Sequence, residues 1–225
     1  MSSLGDGGVP GRSQPYDPAV SPVPGGLSDV VRRAADIIVS LLMLVVLAPL
    51  LLALVVAVRL SSPGPILFRQ ERVGRGGKPF RLLKFRSMRV GGGGPEVTAG
   101  NDTRITPVGA FMRQWKLDEL PQFFNVLMGE MALVGPRPEV PRYVSRYTPE
   151  QMQVLSVKPG ITGRTQLEYR HEEKLLAGRD DVEHVYLTEI MPAKLAIDLE
   201  YVRTRTLLGD LSLLARTVGA IVKRG

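Results

Sequence analysis

The sequence predicts a mainly helical α+β fold seated at a membrane. Three observations carry this reading. Residues 37–58 contain no charged side chain. The runs 66–71 and 80–85 flank Gly74-Arg75-Gly76-Gly77 as the two strands of a small β-hairpin flank their turn. Apolar residues recur at three- and four-residue steps through 120–128 and again from Leu207 onward. At 225 residues the chain is long enough for one domain with a real core, and too short for two ordinary domains and a linker.

Taken in order, residues 1–26 carry six glycines, five prolines and little apolar content. They read as a disordered tail, with no basic stretch leading into an apolar targeting segment. The folded domain is therefore expected over 27–225. Its first element is the apolar run. As a straight helix its 22 residues would be about 33 Å long, enough for the ~30 Å hydrocarbon core of a bilayer. Pro49 breaks it, because proline lacks the N–H a helix needs and crowds the preceding turn. Arg32 and Arg33 precede the run, and Arg59, Arg69, Arg72 and Arg75 follow it, so neither end is favoured for crossing. Two outcomes fit: a kinked span, or a re-entrant hairpin over about 30–60 that turns at Pro49 and leaves by the face it entered.

Residues 59–90 then hold nine Lys or Arg and a single acid, Glu71. Such a block attracts anionic lipid, at about 1 kcal/mol per residue near a bilayer surface. A few converging cations would instead make a phosphate site. Nucleic acid is not expected, since aromatic residues are sparse and no recognition motif is present. Residues 91–94, all glycine, read as a flexible break. Thr106-Pro107 opens a helix expected to reach about Lys116. Asp118 is expected to cap the next helix, with Pro121 in its first turn and Gly129 at its end.

The pair Asp118-Glu119 has two readings: a cap with a favourable dipole charge, or a nucleophile beside a cation-binding carboxylate. Arg113 lies one turn earlier. In Val134-Gly135-Pro136-Arg137-Pro138 two prolines enclose one arginine. That is either a rigid turn with a solvated side chain or a fork held ready for two phosphate oxygens. Lys158-Pro159-Gly160-Ile161-Thr162-Gly163 reads as a second rigid loop, with Arg170 after it. Near the C-terminus the stripe Leu207, Leu211, Leu214, Val218 and Ile221 predicts a helix packed on the domain or its neighbour, or lying in the membrane plane.

Composition narrows the chemistry. Lys and Arg number 29 against 22 Asp and Glu, a formal net charge of +7 with a pI near 9.9, which favours anionic ligands. Cysteine is absent, which excludes disulfides, thiolate metal sites and a cysteine nucleophile. With only His171 and His184, neither a multi-histidine metal site nor a Ser-His hydrolase is expected. No Walker loop and no Gly-x-Gly-x-x-Gly occurs.

Five motifs in order give a resemblance. They are Lys84-Phe85-Arg86-Ser87-Met88, Leu117-Asp118-Glu119-Leu120-Pro121-Gln122, Phe124-Asn125-Val126-Leu127, Gly135-Pro136-Arg137-Pro138 and Lys158-Pro159-Gly160-Ile161-Thr162-Gly163. Together, behind a proline-broken apolar segment, they resemble the bacterial sugar transferase family, the monotopic phosphoglycosyl transferases, over about 31–223. The resemblance implies transfer of a phosphosugar from a UDP-sugar to polyprenol phosphate through a covalent aspartyl intermediate, giving polyprenyl-diphospho-sugar and UMP. This would be the first membrane step of glycoconjugate or exopolysaccharide assembly. Asp118 would be the nucleophile and Glu119 the Mg²⁺ ligand. Lys84, Arg113, Arg137 and Arg170 would bind phosphate or substrate.

The resemblance also implies a re-entrant hairpin broken at Pro49, and a monotopic place in the cytosolic leaflet of the inner membrane. It leaves a homodimer open. The family's Ser-Pro is here Ala48-Pro49, which keeps the proline and lacks the hydroxyl. Its frequent Trp-Ala-Gln is here Arg164-Thr165-Gln166, which bears on sugar or nucleotide preference. The competing class is a non-catalytic membrane-tethered scaffold that binds anionic lipid. It accounts for the apolar run and the cations but not for an Asp-Glu pair among them.

Overall fold

The computed structural model describes residues 26–90, 102–170, 172–176 and 181–222. Nearly all of the expected tail, the 91–94 break and His171 lie outside the described residues.

Helices α1 (Leu27–Val46) and α2 (Ala48–Ser61) meet at Leu47 with a bend of 64°. The break falls at the proline: Pro49 sits in the first turn of α2 and has no N–H to offer the carbonyl of Val45. No single helix among the described residues is long and apolar enough to cross a membrane, but this bent pair is, by length and composition. Its two sides differ. Asp36 and Ser40 are buried against the domain, while Val30, Ile38, Leu41, Leu42, Val45 and Val46 are exposed, as are Leu52, Val56 and Leu60 of α2. On the inner side Arg33 donates to the carbonyls of Val126 and Leu127 at 2.6 and 2.8 Å, and Asp36 accepts from the Leu133 N–H at 2.9 Å.

The expected hairpin forms from β1 (Leu67–Val73) and β2 (Pro79–Phe85), antiparallel from Leu67↔Phe85 to Val73↔Pro79 around a tight turn at Arg75–Gly77. Helix α3 (Pro107–Gln114) starts as read: the Thr106 hydroxyl accepts from the Gly109 N–H at 2.9 Å. It stops two residues before Lys116.

Helix α4 (Gln122–Met128) ends at Gly129, whose φ of 82° is the left-handed conformation that glycine adopts without a Cβ penalty. Asp118 does not cap it. Asp118 belongs to a separate 3₁₀ turn, Leu117–Glu119, and α4 begins after Pro121 with no side-chain cap. A cap at Asp118 could use the N–H of residue 120 or 121, but Leu120 donates to the Leu117 carbonyl at 3.3 Å and proline has no N–H.

A parallel pair of three-residue strands, β3 (Ala132–Val134) and β4 (Gly160–Thr162), underlies the two rigid loops of the sequence, the first following β3 and the second containing β4. The crossover between them holds α5 (Pro141–Val144) and a 3₁₀ turn at Gln151–Ser156. There follow α6 (Arg164–Glu168), α7 (Glu172–Leu176), α8 (Val182–Val185), a π turn at Tyr186–Ile190, α9 (Met191–Thr204) and α10 (Leu207–Val222).

Three apolar cores hold these pieces. One joins α9 and the π turn to the crossover through Tyr143, Val144, Leu195 and Leu199. A second sets Phe80 and Leu82 of β2 against Val126, Met131 and Leu133. The third ties α2 to α3 and β2 through Leu54, Val58, Met112 and Phe85. In α10 the buried face is offset from the predicted stripe. Asp210 and Leu213 are buried, Leu214 packs on the second core, and the Thr217 hydroxyl meets that of Thr162 at 2.6 Å. Leu207, Leu211 and Val218 of the stripe are exposed, with Leu208 at 81 %. Packing on this domain therefore accounts for one of those side chains, and that of Ile221 lies outside the description.

Candidate active site

The turn that carries Asp118 and Glu119 is pinned at both ends. Leu117 and Leu120 pack into the core of Phe85, Leu54, Val58 and Met112. Lys116, just before it, has a φ of 57°, the one positive value on a non-glycine residue among those described. That conformation costs about 1–2 kcal/mol.

Glu119 is the hub of the ion pairs. Lys84, from β2, donates through Nζ to Oε1 at 3.0 Å, and Nη2 of Arg137, from the segment after β3, reaches the same oxygen at 3.4 Å. Burial would push the Glu119 carboxyl up. The charges of Lys84, Arg137 and Lys116, with the Lys84 hydrogen bond, outweigh burial and hold it well below the usual carboxylate range. Burial lowers the Lys84 ammonium from its ordinary value against the pull of Glu119. The charge of Glu119 raises the Arg137 guanidinium.

Asp118 is only 7 % exposed, and its Oδ1 is buried with no hydrogen-bond partner among the described residues. Burial first, and then the neighbouring Glu119 charge, push its carboxyl up, while Lys84, Lys116 and Arg113 offset part of the rise. A capping carboxylate accepts N–H groups. An oxygen that is buried and unpaired does nothing for a helix end. Among the described residues no three His, Cys, Asp or Glu groups cluster to hold a metal. The two adjacent carboxylates suit Mg²⁺, which takes one or two and fills its other positions with phosphate oxygens and water.

The fold thus brings together four of the sequence-derived residues: Asp118, Glu119, Lys84 and Arg137. Arg113 on α3 is half-buried, and its charge is felt at Asp118. Arg170 stands exposed just past α6. Pro49 is at the bend of the helix pair.

The support of Arg137 was not legible. Glu139 accepts from Arg72 Nη1 at 2.9 Å and from the Tyr186 hydroxyl at 2.5 Å, and its carbonyl takes the Val73 N–H at 3.0 Å. This clamps the Pro136–Pro138 segment to β1 and the π turn. Position within the Pro-Arg-Pro motif was the only hint, since the partners are distant in the chain. From the other side the glycines of the two loops touch backbone to backbone: a Cβ on Gly160 would fall 2.1 Å from the Gly135 nitrogen.

The Arg164-Thr165 departure faces α9. Arg164 pairs with Glu200 at 2.9 Å, and the Thr165 hydroxyl donates to Oδ1 of Asp198 at 2.9 Å. Burial raises the Asp198 carboxyl to about 7. The folded state therefore prefers it neutral. Its contribution to stability is complete below its unfolded value of 3.8 and is lost as pH rises from there through about 7. The loss is on the order of 4 kcal/mol. Asp198→Asn, which cannot ionise and can still accept from Thr165, should be the more stable protein at pH 8, and its advantage at pH 5 should be less than half as large. Thermal unfolding of both proteins at the two pH values checks this, and a difference independent of pH would contradict it.

The bacterial sugar transferase family matches residues 27–224. The chain is 39% identical over 206 residues to the UDP-glucose:undecaprenyl-phosphate glucose-1-phosphate transferase of Caulobacter vibrioides, covering 89% of this chain and 73% of that protein. It is 40% identical over 209 residues to the Escherichia coli protein of the same name, covering 90% of this chain but 42% of that one. It is 38% identical over 209 residues to an exopolysaccharide production protein of Rhizobium leguminosarum, covering 87% of this chain and 97% of that protein. The chain thus spans less than half the length of some relatives and nearly all of another. With the match running from the first turn of α1 to beyond the end of α10, this chain belongs to the bacterial sugar transferase family.

Proposed function

We propose that the protein transfers a phosphosugar from a UDP-sugar to polyprenol phosphate. An Asp118 carboxylate oxygen attacks the sugar-linked phosphorus, the bond to the α-phosphate breaks, and UMP leaves with the electron pair. The phosphate of the polyprenol then attacks the same phosphorus, the Asp118–phosphorus bond breaks, and polyprenyl-diphospho-sugar departs with the carboxylate restored. The observation that carries this reading is the buried, unpaired oxygen of Asp118 beside a Glu119 neutralised by Lys84 and Arg137. Two-step transfer keeps two bulky anions from sharing one small cationic site.

Lys84 and Arg137 hold the transferring phosphate, and the planar fork of Arg137 can engage two oxygens at once. Arg113 and Arg170 supply further positive charge toward the diphosphate. Glu119 would hold a Mg²⁺ ion, whose contribution is to neutralise charge on the phosphates.

The exposed apolar sides of α1, α2 and α10 support seating in the cytosolic leaflet of the inner membrane. There the α1–α2 pair enters as a re-entrant hairpin, a monotopic arrangement. The relatives named for UDP-glucose and undecaprenyl phosphate make that pair of substrates the first to try, and exopolysaccharide assembly the first pathway class.

The test uses the full chain in lipid nanodiscs with a panel of UDP-sugars. With one of them, UMP should appear continuously when polyprenol phosphate is present. Without the acceptor it should stop after about one equivalent, with a phosphosugar on Asp118 by mass spectrometry. EDTA should stop both. No UMP from any UDP-sugar would overturn the reading. UMP formed only with acceptor, and no adduct, would replace the covalent path with direct transfer.

A further inference from the structure

Asn125 takes no part in the chemistry above, yet it is among the most completely enclosed polar side chains described, with no exposed surface. It lies in the middle of α4 and makes three of the four hydrogen bonds open to a carboxamide, both of its donors included. Its Oδ1 accepts from the Leu83 N–H at 3.0 Å. Its Nδ2 donates to the Arg81 carbonyl at 2.8 Å and to Oε2 of Glu130 at 2.6 Å. One carboxamide therefore pairs with two main-chain groups of β2, as a residue of a third strand would. An apolar side chain at this position would leave a strand N–H and C=O buried and unpaired.

What the pin joins is specific. Leu83 is the residue before Lys84, and α4 starts three residues after Glu119. The 3.0 Å contact between Lys84 and Glu119 joins the same strand to the 3₁₀ turn that leads into α4. The apolar packing of Phe80 and Leu82 on Val126 presses β2 and α4 together, but apolar contacts tolerate sliding. Directed hydrogen bonds to Arg81 and Leu83 fix the register along the strand.

We infer that Asn125 is a positioning residue that sets where Lys84 stands relative to Glu119, and so the geometry in which phosphate is transferred. This inference rests on the proposed phosphoglycosyl transfer. A displacement of about 1 Å at such a site can cost about 100-fold in rate.

The test compares steady-state UMP release by the wild type, Asn125→Asp and the double variant Asn125→Asp/Glu130→Gln in nanodiscs. Asn125→Asp keeps the shape and the acceptor for Leu83. It sets a carboxylate oxygen against the Arg81 carbonyl and the Glu130 carboxylate, so β2 and α4 should shift apart locally. The expected result is a fall in kcat of about 100-fold with KM for the UDP-sugar within about twofold, measured on protein that still melts cooperatively. The double variant gives the new carboxylate a donor in place of a repelling charge, and should recover about tenfold in kcat.

A folded Asn125→Asp with kcat near that of the wild type would overturn the inference. So would a fall in kcat that the double variant leaves unchanged while restoring the melting temperature. If Asn125→Asp does not fold, the double variant alone decides, with a kcat below wild type at unchanged KM expected and wild-type kinetics overturning the inference. A wild type that releases no UMP from any UDP-sugar would sink the transfer reading itself, an outcome separate from all of these.

Discussion

Asp118→Asn is expected to lower UMP release by at least about 10³-fold and to leave the melting temperature unchanged or slightly raised. The amide has the size and shape of the carboxylate, so Leu117 and Leu120 keep their places in the core. No helix cap is lost, because Asp118 makes none. The ionised form is disfavoured by burial and by the adjacent Glu119, so a neutral side chain removes a penalty. The nucleophile, however, is gone. UMP release and thermal unfolding on the same preparation check both halves. A folded variant retaining a tenth of the wild-type rate would take Asp118 out of the nucleophile role and return it to a structural one.

The second large effect concerns topology. Single cysteines can be placed at Ser28 and at Pro63, both exposed, in a chain that has none of its own. In intact cells a membrane-impermeant thiol reagent should label neither, and after permeabilisation it should label both. Pro49→Leu should change this. With a residue able to donate its N–H, α1 and α2 can join into one straight helix, and the apolar run is about 33 Å long, enough to cross. The catalytic part carries the larger basic block and stays in the cytosol, so Ser28→Cys should become labelled from outside. Labelling of Ser28→Cys from outside in the chain with Pro49 intact would sink the re-entrant reading and leave an ordinary span.

Legibility in the sequence followed the range of the interactions. The cap at Thr106, the stop at Gly129 and the β1–β2 hairpin are set by residues within a few positions of each other, and all three were visible. The β3–β4 pair was not. Its strands have three residues each, too few for an alternating pattern, and the partner of Val134 is Thr162, across a whole crossover. The same holds at the site. The motifs named Asp118, Glu119, Lys84 and Arg137, but nothing in their spacing says that Lys84 and Arg137 meet on one oxygen. The face that α10 buries against the domain was not legible because Asp210 and Thr217 are polar. Their partners Arg32, Tyr201 and Thr162 make burial favourable, and a hydrophobic stripe cannot register that.

The two polar contacts of α1 with the domain bear on mechanics. Arg33 grips the last carbonyls of α4, and Asp36 grips the main chain of β3 one helical turn later. The helix that carries the exposed apolar side chains is thus bolted at two points to α4 and β3, the elements that follow the Asp118–Glu119 turn. It cannot slide along its axis without dragging α4 with it. In a bilayer thicker or thinner than the apolar length of α1, the mismatch can be relieved by tilting the whole enzyme or by deforming the lipid around it, but not by letting the anchor float free. Under the proposed membrane seating, acyl-chain length would control how deep the Asp118–Glu119 carboxylates ride relative to the phosphate plane, and the bilayer would act as a gauge block against which they are set.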